Sequence, residues 1–211
     1  MLTLSDARPW YPDNDAVHGF DHIERVFALC QLIGTREGAD MDILLSAALL
    51  HDSQGSHPQG GQRNDHHLRS ADFAAEVLSS LGWQAERIQA VQHCIRAHRF
   101  RDKEEAPASL EARALFDADK LDVIGAVGVV RALAYAFQVG QPAFSQPSET
   151  FLNSGVKLPG EGHSAYHEYL FKLKKIASTL YTPTARQIAE RRQQFLNTFF
   201  DELAAEMRPE F

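Results

Sequence analysis

Ile43-Leu44-Leu45-Ser46-Ala47-Ala48-Leu49-Leu50-His51-Asp52 is the stretch whose reading decides the fold. A run that is apolar on nearly all sides belongs to a helix at the centre of a bundle, and this one leads straight into two side chains that ligate metals. Asp40 stands ahead of it as an N-cap, so the helix is read from Asp40 to Asp52. His22 lies upstream in His18-Gly19-Phe20-Asp21-His22-Ile23-Glu24-Arg25-Val26, and Asp119 lies downstream in Phe116-Asp117-Ala118-Asp119-Lys120-Leu121-Asp122. The chain order is therefore His, His-Asp, Asp.

Working outward, Ile23, Val26, Phe27, Cys30 and Ile33 recur at steps of three and four, which predicts an amphipathic helix opening near His22 and stopping at Gly34 or Gly38. Ser53 to Asp65, with Gly55, Pro58, Gly60 and Gly61, cannot hold a helix and reads as a loop beside the His-Asp pair, a candidate substrate lid. Helical patterning returns in His66 to Leu81, where Leu68, Ala71, Ala75 and Leu78 line one face, and in Gln84 to His98. After a polar stretch from Arg99 to Pro107 it resumes in Ser109 to Asp119 and in Asp122 to Val139. In the last of these, Gly125 and Gly128 would let a neighbouring helix come close. Gln141 to Gly162 is rich in Pro, Ser and Gly and reads as a second loop, followed by closing helices over Ser164 to Leu180 and Thr184 to Glu206, the latter capped by Thr184. No segment alternates with period two. The expectation is an all-α, single-domain helical bundle over residues 1–211, with its metal-binding core at about 18–140 and its closing helices at about 163–206.

The four candidate ligands sit at the polar ends of apolar stripes: Leu44, Ala48, His51 and Asp52 in one helix, Ala112, Leu115, Phe116 and Asp119 in another, and His22 one turn before Val26. A carboxylate buried at such a place is costly unless a cation offsets it. A lone histidine or aspartate there is more often a satisfied core residue, but four in convergent positions point to a metal held by His22, His51, Asp52 and Asp119. Nitrogen and oxygen donors without thiolate suit Mn, Mg, Fe, Ni, Co or Zn. Further histidines, His66, His67, His93 and His98, fall between the His-Asp pair and Asp119. One metal is expected, with His67 and His98 as pocket residues that could donate a proton or touch phosphate. His66-His67 could equally be a solvated helix start.

The His, His-Asp, Asp order resembles the HD superfamily of metal-dependent phosphohydrolases, and the resemblance extends beyond the ligands. Asp117-Ala118-Asp119-Lys120-Leu121-Asp122-Val123-Ile124-Gly125-Ala126-Val127-Gly128 is similar to a run in a bacterial subgroup that includes nucleotide pyrophosphohydrolases. So is the segment from Lys172-Leu173-Lys174 through Thr182-Pro183-Thr184-Ala185 to Glu190-Arg191-Arg192. The resemblance implies hydrolysis of phosphate esters or anhydrides, extending to nucleoside triphosphates cut to monophosphate and pyrophosphate. It also implies a small phosphorylated substrate, a nucleotide by preference. Cationic donors should then surround the site, and Lys120 and Arg131 are the first choices, with Arg25, Lys172 and Lys174 behind them. Asp122 is read as orienting a ligand or the attacking water, and Asp117 as a second candidate for that role. Two other functions stay open at this point: a two-metal HD-type oxygenase using His67 and His98 as ligands, and a catalytically silent ligand sensor. Glu168-Tyr169-Leu170-Phe171-Lys172-Leu173 lacks one lysine found in the subgroup, and Ser53-Gln54-Gly55-Ser56 lacks the Glu-Asp pair of guanosine tetraphosphate hydrolases.

The net charge of -7 argues against a protein that coats nucleic acid, since counterion release needs a basic surface. It leaves a local cationic cleft open. No apolar run is long enough to cross a bilayer and the amino terminus lacks the layout of a secretory signal, so a cytoplasmic protein without membrane contact is expected, with room for a homodimer. Cys30 and Cys94, the only cysteines, fall on apolar helix faces and read as buried free thiols.

Overall fold

The computed structural model describes residues 2–11, 19–55, 65–99 and 105–207. Among them there are helices and no strand, as the absence of period-two alternation predicted. The chain gathers into two compact units, Met1–Lys120 with Leu180–Ala185 and Leu121–Thr179 with Arg186–Phe211. Among the described residues no single helix is long and apolar enough to cross a membrane.

The first unit begins with α1 (Leu4–Ala7) and a 3-10 turn (Arg8–Trp10), neither of which the sequence announced. Thr3 and Asp6 cap α1 reciprocally: the Asp6 amide donates to the Thr3 hydroxyl oxygen and the Thr3 amide to the Asp6 carboxylate. Then follow α2 (Phe20–Glu37), α3 (Met41–Leu50), α4 (His66–Ser80), α5 (Ala85–Ala97) and α6 (Leu110–Leu121). Of the two glycines offered as stops for α2, Gly38 ends it, at φ +80°, where a side chain would be strained. Asp40 caps α3 as expected, accepting from the Asp42 and Ile43 amides, and the Arg87 guanidinium holds its carboxylate at 2.9 and 3.1 Å.

The core of this unit is aliphatic: Ile23, Val26 and Ile33 from α2, Leu44, Leu49 and Leu50 from α3, Leu78 from α4, Val91 and Ile95 from α5, and Leu115 from α6 are all fully buried. Each such side chain contributes roughly 1.5–3 kcal/mol of transfer free energy, so α3, buried on all sides from Leu44 to Leu50, is fixed by its neighbours. The face of α4 differs from the expectation. Leu68 is exposed, and the buried face is His66, His67, Ser70, Ala71, Ala74 and Leu78. The stripe is rotated because the serine and the histidines, scored as polar, are the residues that turn inward. Cys30 and Cys94 are buried free thiols, and burial pushes Cys94 up to about 12.

Leu180–Ala185 returns to this unit. Asp117, fully buried, accepts from the amides of Tyr181 (2.9 Å) and Thr182 (2.7 Å) and from the Thr182 hydroxyl (2.7 Å). Asp117 is thus a clamp on the returning chain just ahead of the helix that starts at Pro183. Thr182, not Thr184, takes the capping role, its hydroxyl oxygen accepting from the Ala185 amide. That leaves Pro183 as the first helical residue, where a missing N–H costs nothing.

The second unit holds α7 (Gly125–Gln138), α8 (Glu149–Ser154), α9 (Ala165–Phe171), a 3-10 helix (Leu173–Thr179) and most of α10 (Pro183–Glu206). Two expectations are corrected here. The Pro- and Ser-rich loop contains α8, capped by Ser148, and the single helix expected over Ser164 to Leu180 is an α-helix followed by a 3-10 helix. Gly125 does admit a neighbouring helix, since a Cβ there would stand 3.1 Å from Arg192. Gly128 instead accommodates the chain's own Val123 carbonyl, 2.3 Å from where a Cβ would sit.

Candidate metal centre

The site is built on three helix ends of the first unit. His22 lies in the first turn of α2, the His51-Asp52 pair at the end of α3, and Asp119 in the last turn of α6. His22, His51 and Asp52 are buried. One ligand atom each from His22, His51 and Asp119 lie within 4.8 Å of one another, and the same holds for His51, Asp52 and His98.

Asp52 joins the two groups, because its two oxygens face different histidines. Oδ2 stands 3.9 Å from His22 Nε2 and 3.8 Å from His51 Nε2. Oδ1 stands 3.3 Å from His66 Nε2 and 3.6 Å from His98 Nε2. Asp119 Oδ1 lies 3.5 Å from His22 Nε2, and its other oxygen accepts from the Lys120 ammonium at 2.5 Å.

Helix ends set the histidine tautomers. His51 Nδ1 sits 2.8 Å from the Ala48 carbonyl and His98 Nδ1 2.5 Å from the Ile95 carbonyl, each three residues back at a helix C-terminus. A carbonyl can only accept, so Nδ1 carries the proton and Nε2 presents a lone pair to the cluster, the form a metal ligand needs. Among the described residues, buried His51 Nε2 and Asp52 Oδ1 have no hydrogen-bond partner. Buried polar atoms seldom go unpartnered, and a divalent cation is what this nitrogen and oxygen set fits.

Charge follows the geometry. Burial opposes ionisation of Asp52, yet His51, His66 and His98 hold its carboxyl well below the usual carboxylate range. Asp119 is likewise held low against burial, by Lys120 first and then by His22, His98 and His51. Burial pushes His98 down, with Asp52 partly offsetting it, so the ring stays neutral. The cluster thus presents two ionised carboxylates, with the neutral His98 ring beside them.

Of the residues the sequence proposed, His22, His51, Asp52, Asp119, His98 and Lys120 come together. His67 is buried with its ring 5.6 Å from that of His66, and His66 reaches Asp52. The sequence left His66-His67 open as a solvated helix start. The signal that would have found it is its four-residue step to Ser70, which is fully buried. Asp122 and Arg131 lie in the second unit and engage each other: Arg131 Nη1 donates to Asp122 Oδ2 at 2.6 Å, with both residues buried. Most of the loop read as a lid, residues 56–64, lies outside the described residues.

An all-α scaffold that gathers two histidines and two aspartates at helix ends defines a metal-dependent hydrolase of the HD type. The HD domain family matches residues 19–124, and the chain belongs to that family. It is 32% identical over 194 residues to the uncharacterized protein YpgQ of Bacillus subtilis, covering 90% of this chain and 85% of that one. The crystal structure of YpgQ in complex with ADP is similar at a TM-score of 0.74 and 28% identity, over 98% of this chain and 99% of the other. A predicted HD superfamily hydrolase from an uncultured Thermotogales bacterium is similar at a TM-score of 0.64 and 28% identity, over 97% and 91% of the two chains. The protein is a metal-dependent phosphohydrolase.

Proposed function

We propose that the protein hydrolyses nucleoside triphosphates to monophosphate and pyrophosphate, using a divalent cation held by His22, His51, Asp52 and Asp119. The observation that carries this reading is the four-donor face made by His22 Nε2, His51 Nε2, Asp52 Oδ2 and Asp119 Oδ1. The nucleotide class is supported by the ADP complex of YpgQ, a relative over nearly the whole chain. A cation bound there lowers the pKa of water and polarises a phosphoryl oxygen.

The chain's own groups do the rest. The water oxygen forms a bond to the α-phosphorus while the bond from that phosphorus to the bridging oxygen breaks, and pyrophosphate leaves. His98, neutral and with its Nε2 lone pair turned to the cluster, takes the proton of the attacking water. Lys120 has one N–H on Asp119, which leaves two for phosphate oxygens. His67 supports His66 at the edge of the cluster.

The test is turnover of nucleoside triphosphates, diphosphates and a generic phosphodiester by the metal-loaded protein, with product identification. Monophosphate plus pyrophosphate is the expected pair. Nucleoside diphosphate plus orthophosphate from the triphosphate, or turnover of none of these compounds, overturns the reading. A second reading is favoured by Asp52, whose Oδ1 faces His66 and His98: a two-ion centre bridged by this carboxylate, the arrangement an HD-type oxygenase would need. Two metal equivalents per chain would support it, and one equivalent removes it.

A further inference from the structure

Tyr11 touches both elements that carry the leading end of the metal cluster, although nothing in the sequence marks it. Its ring packs on Phe20 at 5.7 Å between centroids, two residues before His22, and its hydroxyl donates to the Leu49 carbonyl at 2.8 Å, two residues before His51. The side chain is buried. The last carbonyls of a helix have no partner within it, and in a buried helix they must find one elsewhere. At the end of α3 the Ser53 amide turns to Leu50 (3.2 Å) and leaves Leu49 to Tyr11. Ala48 is taken by His51 Nδ1 (2.8 Å), and the Ser53 hydroxyl also donates to Leu50 (2.9 Å).

We infer that Tyr11 is a positioning residue for the metal centre, holding the last turn of α3 so that His51 and Asp52 meet His22 on α2, with Ser53 completing the same cap. This rests on the reading of His22, His51 and Asp52 as ligands. The polar tie is the hydroxyl alone: Tyr11→Phe keeps the ring on Phe20 and releases the Leu49 carbonyl.

The test measures Mn²⁺ affinity from the electron paramagnetic resonance signal of the free ion, beside the thermal midpoint of each metal-free protein. A buried hydrogen bond of ordinary strength predicts that Tyr11→Phe raises the Mn²⁺ Kd about three- to tenfold, with Ser53→Ala moving it in the same direction. Tyr169→Phe is the control, a buried tyrosine of the second unit whose hydroxyl donates to Asn197 (3.3 Å). It should lower the midpoint and leave the Kd alone. If Tyr11→Phe lowers the midpoint as Tyr169→Phe does while its Kd stays within about twofold of the parent, the residue is structural and the inference falls. Should Tyr11→Phe not fold, an unchanged Kd in Ser53→Ala overturns the inference equally. A parent protein that binds none of Mn²⁺, Co²⁺, Ni²⁺, Zn²⁺ or Mg²⁺ takes down the ligand reading itself, a different result from a variant that matches its parent.

Discussion

Both units bury histidine against carboxylate, and they do so to opposite effect. In the second, Glu161 accepts from the Ser148 amide (2.8 Å), the Ser148 hydroxyl (2.7 Å), the Leu158 amide (2.7 Å) and His167 Nε2 (3.3 Å). The other nitrogen of His167 meets the Ser164 hydroxyl at 2.8 Å. This Ser, His, Glu succession has the order of a nucleophilic triad, yet Ser164 and His167 are fully buried and every polar atom of the Glu161–His167 pair has a protein partner. It ties the segment before α9 to α8 and has nothing left for a ligand. In the first unit, His51 Nε2 and Asp52 Oδ1 are as deeply buried and lack such partners. A buried His-carboxylate cluster is structural when its hydrogen bonds close and a candidate site when they do not.

The sharpest way to break this contrast is to remove a carboxylate from each side. Asp52→Ala should lose most of its bound metal and activity, because a four-donor site loses a charged ligand and one of the two negative charges that offset the cation. Glu161→Gln should keep the metal content of the parent. Metal analysis of both proteins decides the matter, and full occupancy in Asp52→Ala would end its role as a ligand.

His98 tests where the open cluster stops. Its alanine variant is expected to keep the first metal equivalent and to lose about a hundredfold in turnover, the scale of a missing proton acceptor. Loss of a second equivalent would move His98 into the ligand set.

Lys120 sharpens the comparison from the substrate side. Lys120→Ala should cost about ten- to a hundredfold on a nucleoside triphosphate and far less on a singly charged diester, since charge-assisted bonds to phosphate oxygens are worth about 1.5–3 kcal/mol. Equal losses on both would make Lys120 a support for Asp119 alone.

The smallest effect belongs to the closed network. Burial lowers His167 from 6.5, and the Ser148 and Leu158 amides lower Glu161 from 4.5 to about 2. In both cases the unfolded chain takes up protons at higher pH than the folded one, so stability falls on acidification. The loss begins below about 6.5 through His167 and continues from about 4.5 toward 2 through Glu161. Thermal midpoints against pH should flatten in that lower range in Glu161→Gln, by a few degrees. An unchanged slope would mean that Glu161 does not carry the acid sensitivity.

Helix periodicity, the Asp40 cap and the ends of most helices were legible because they follow from local backbone chemistry and from which residues avoid water. The ligand types were legible too: a run such as Ala47 to Leu50 can place His51 and Asp52 only at the polar end of a buried helix. What the sequence alone determined was an all-α HD-type chain with His22, His51, Asp52 and Asp119 as its candidate ligands. Only the tertiary structure decided that His66 reaches Asp52, that Asp117 clamps the returning chain, that Arg131 donates to Asp122, and that Tyr11 ties α2 to α3. Those facts depend on which donors meet across helices far apart in sequence, and neither spacing nor propensity encodes a distance between separate elements.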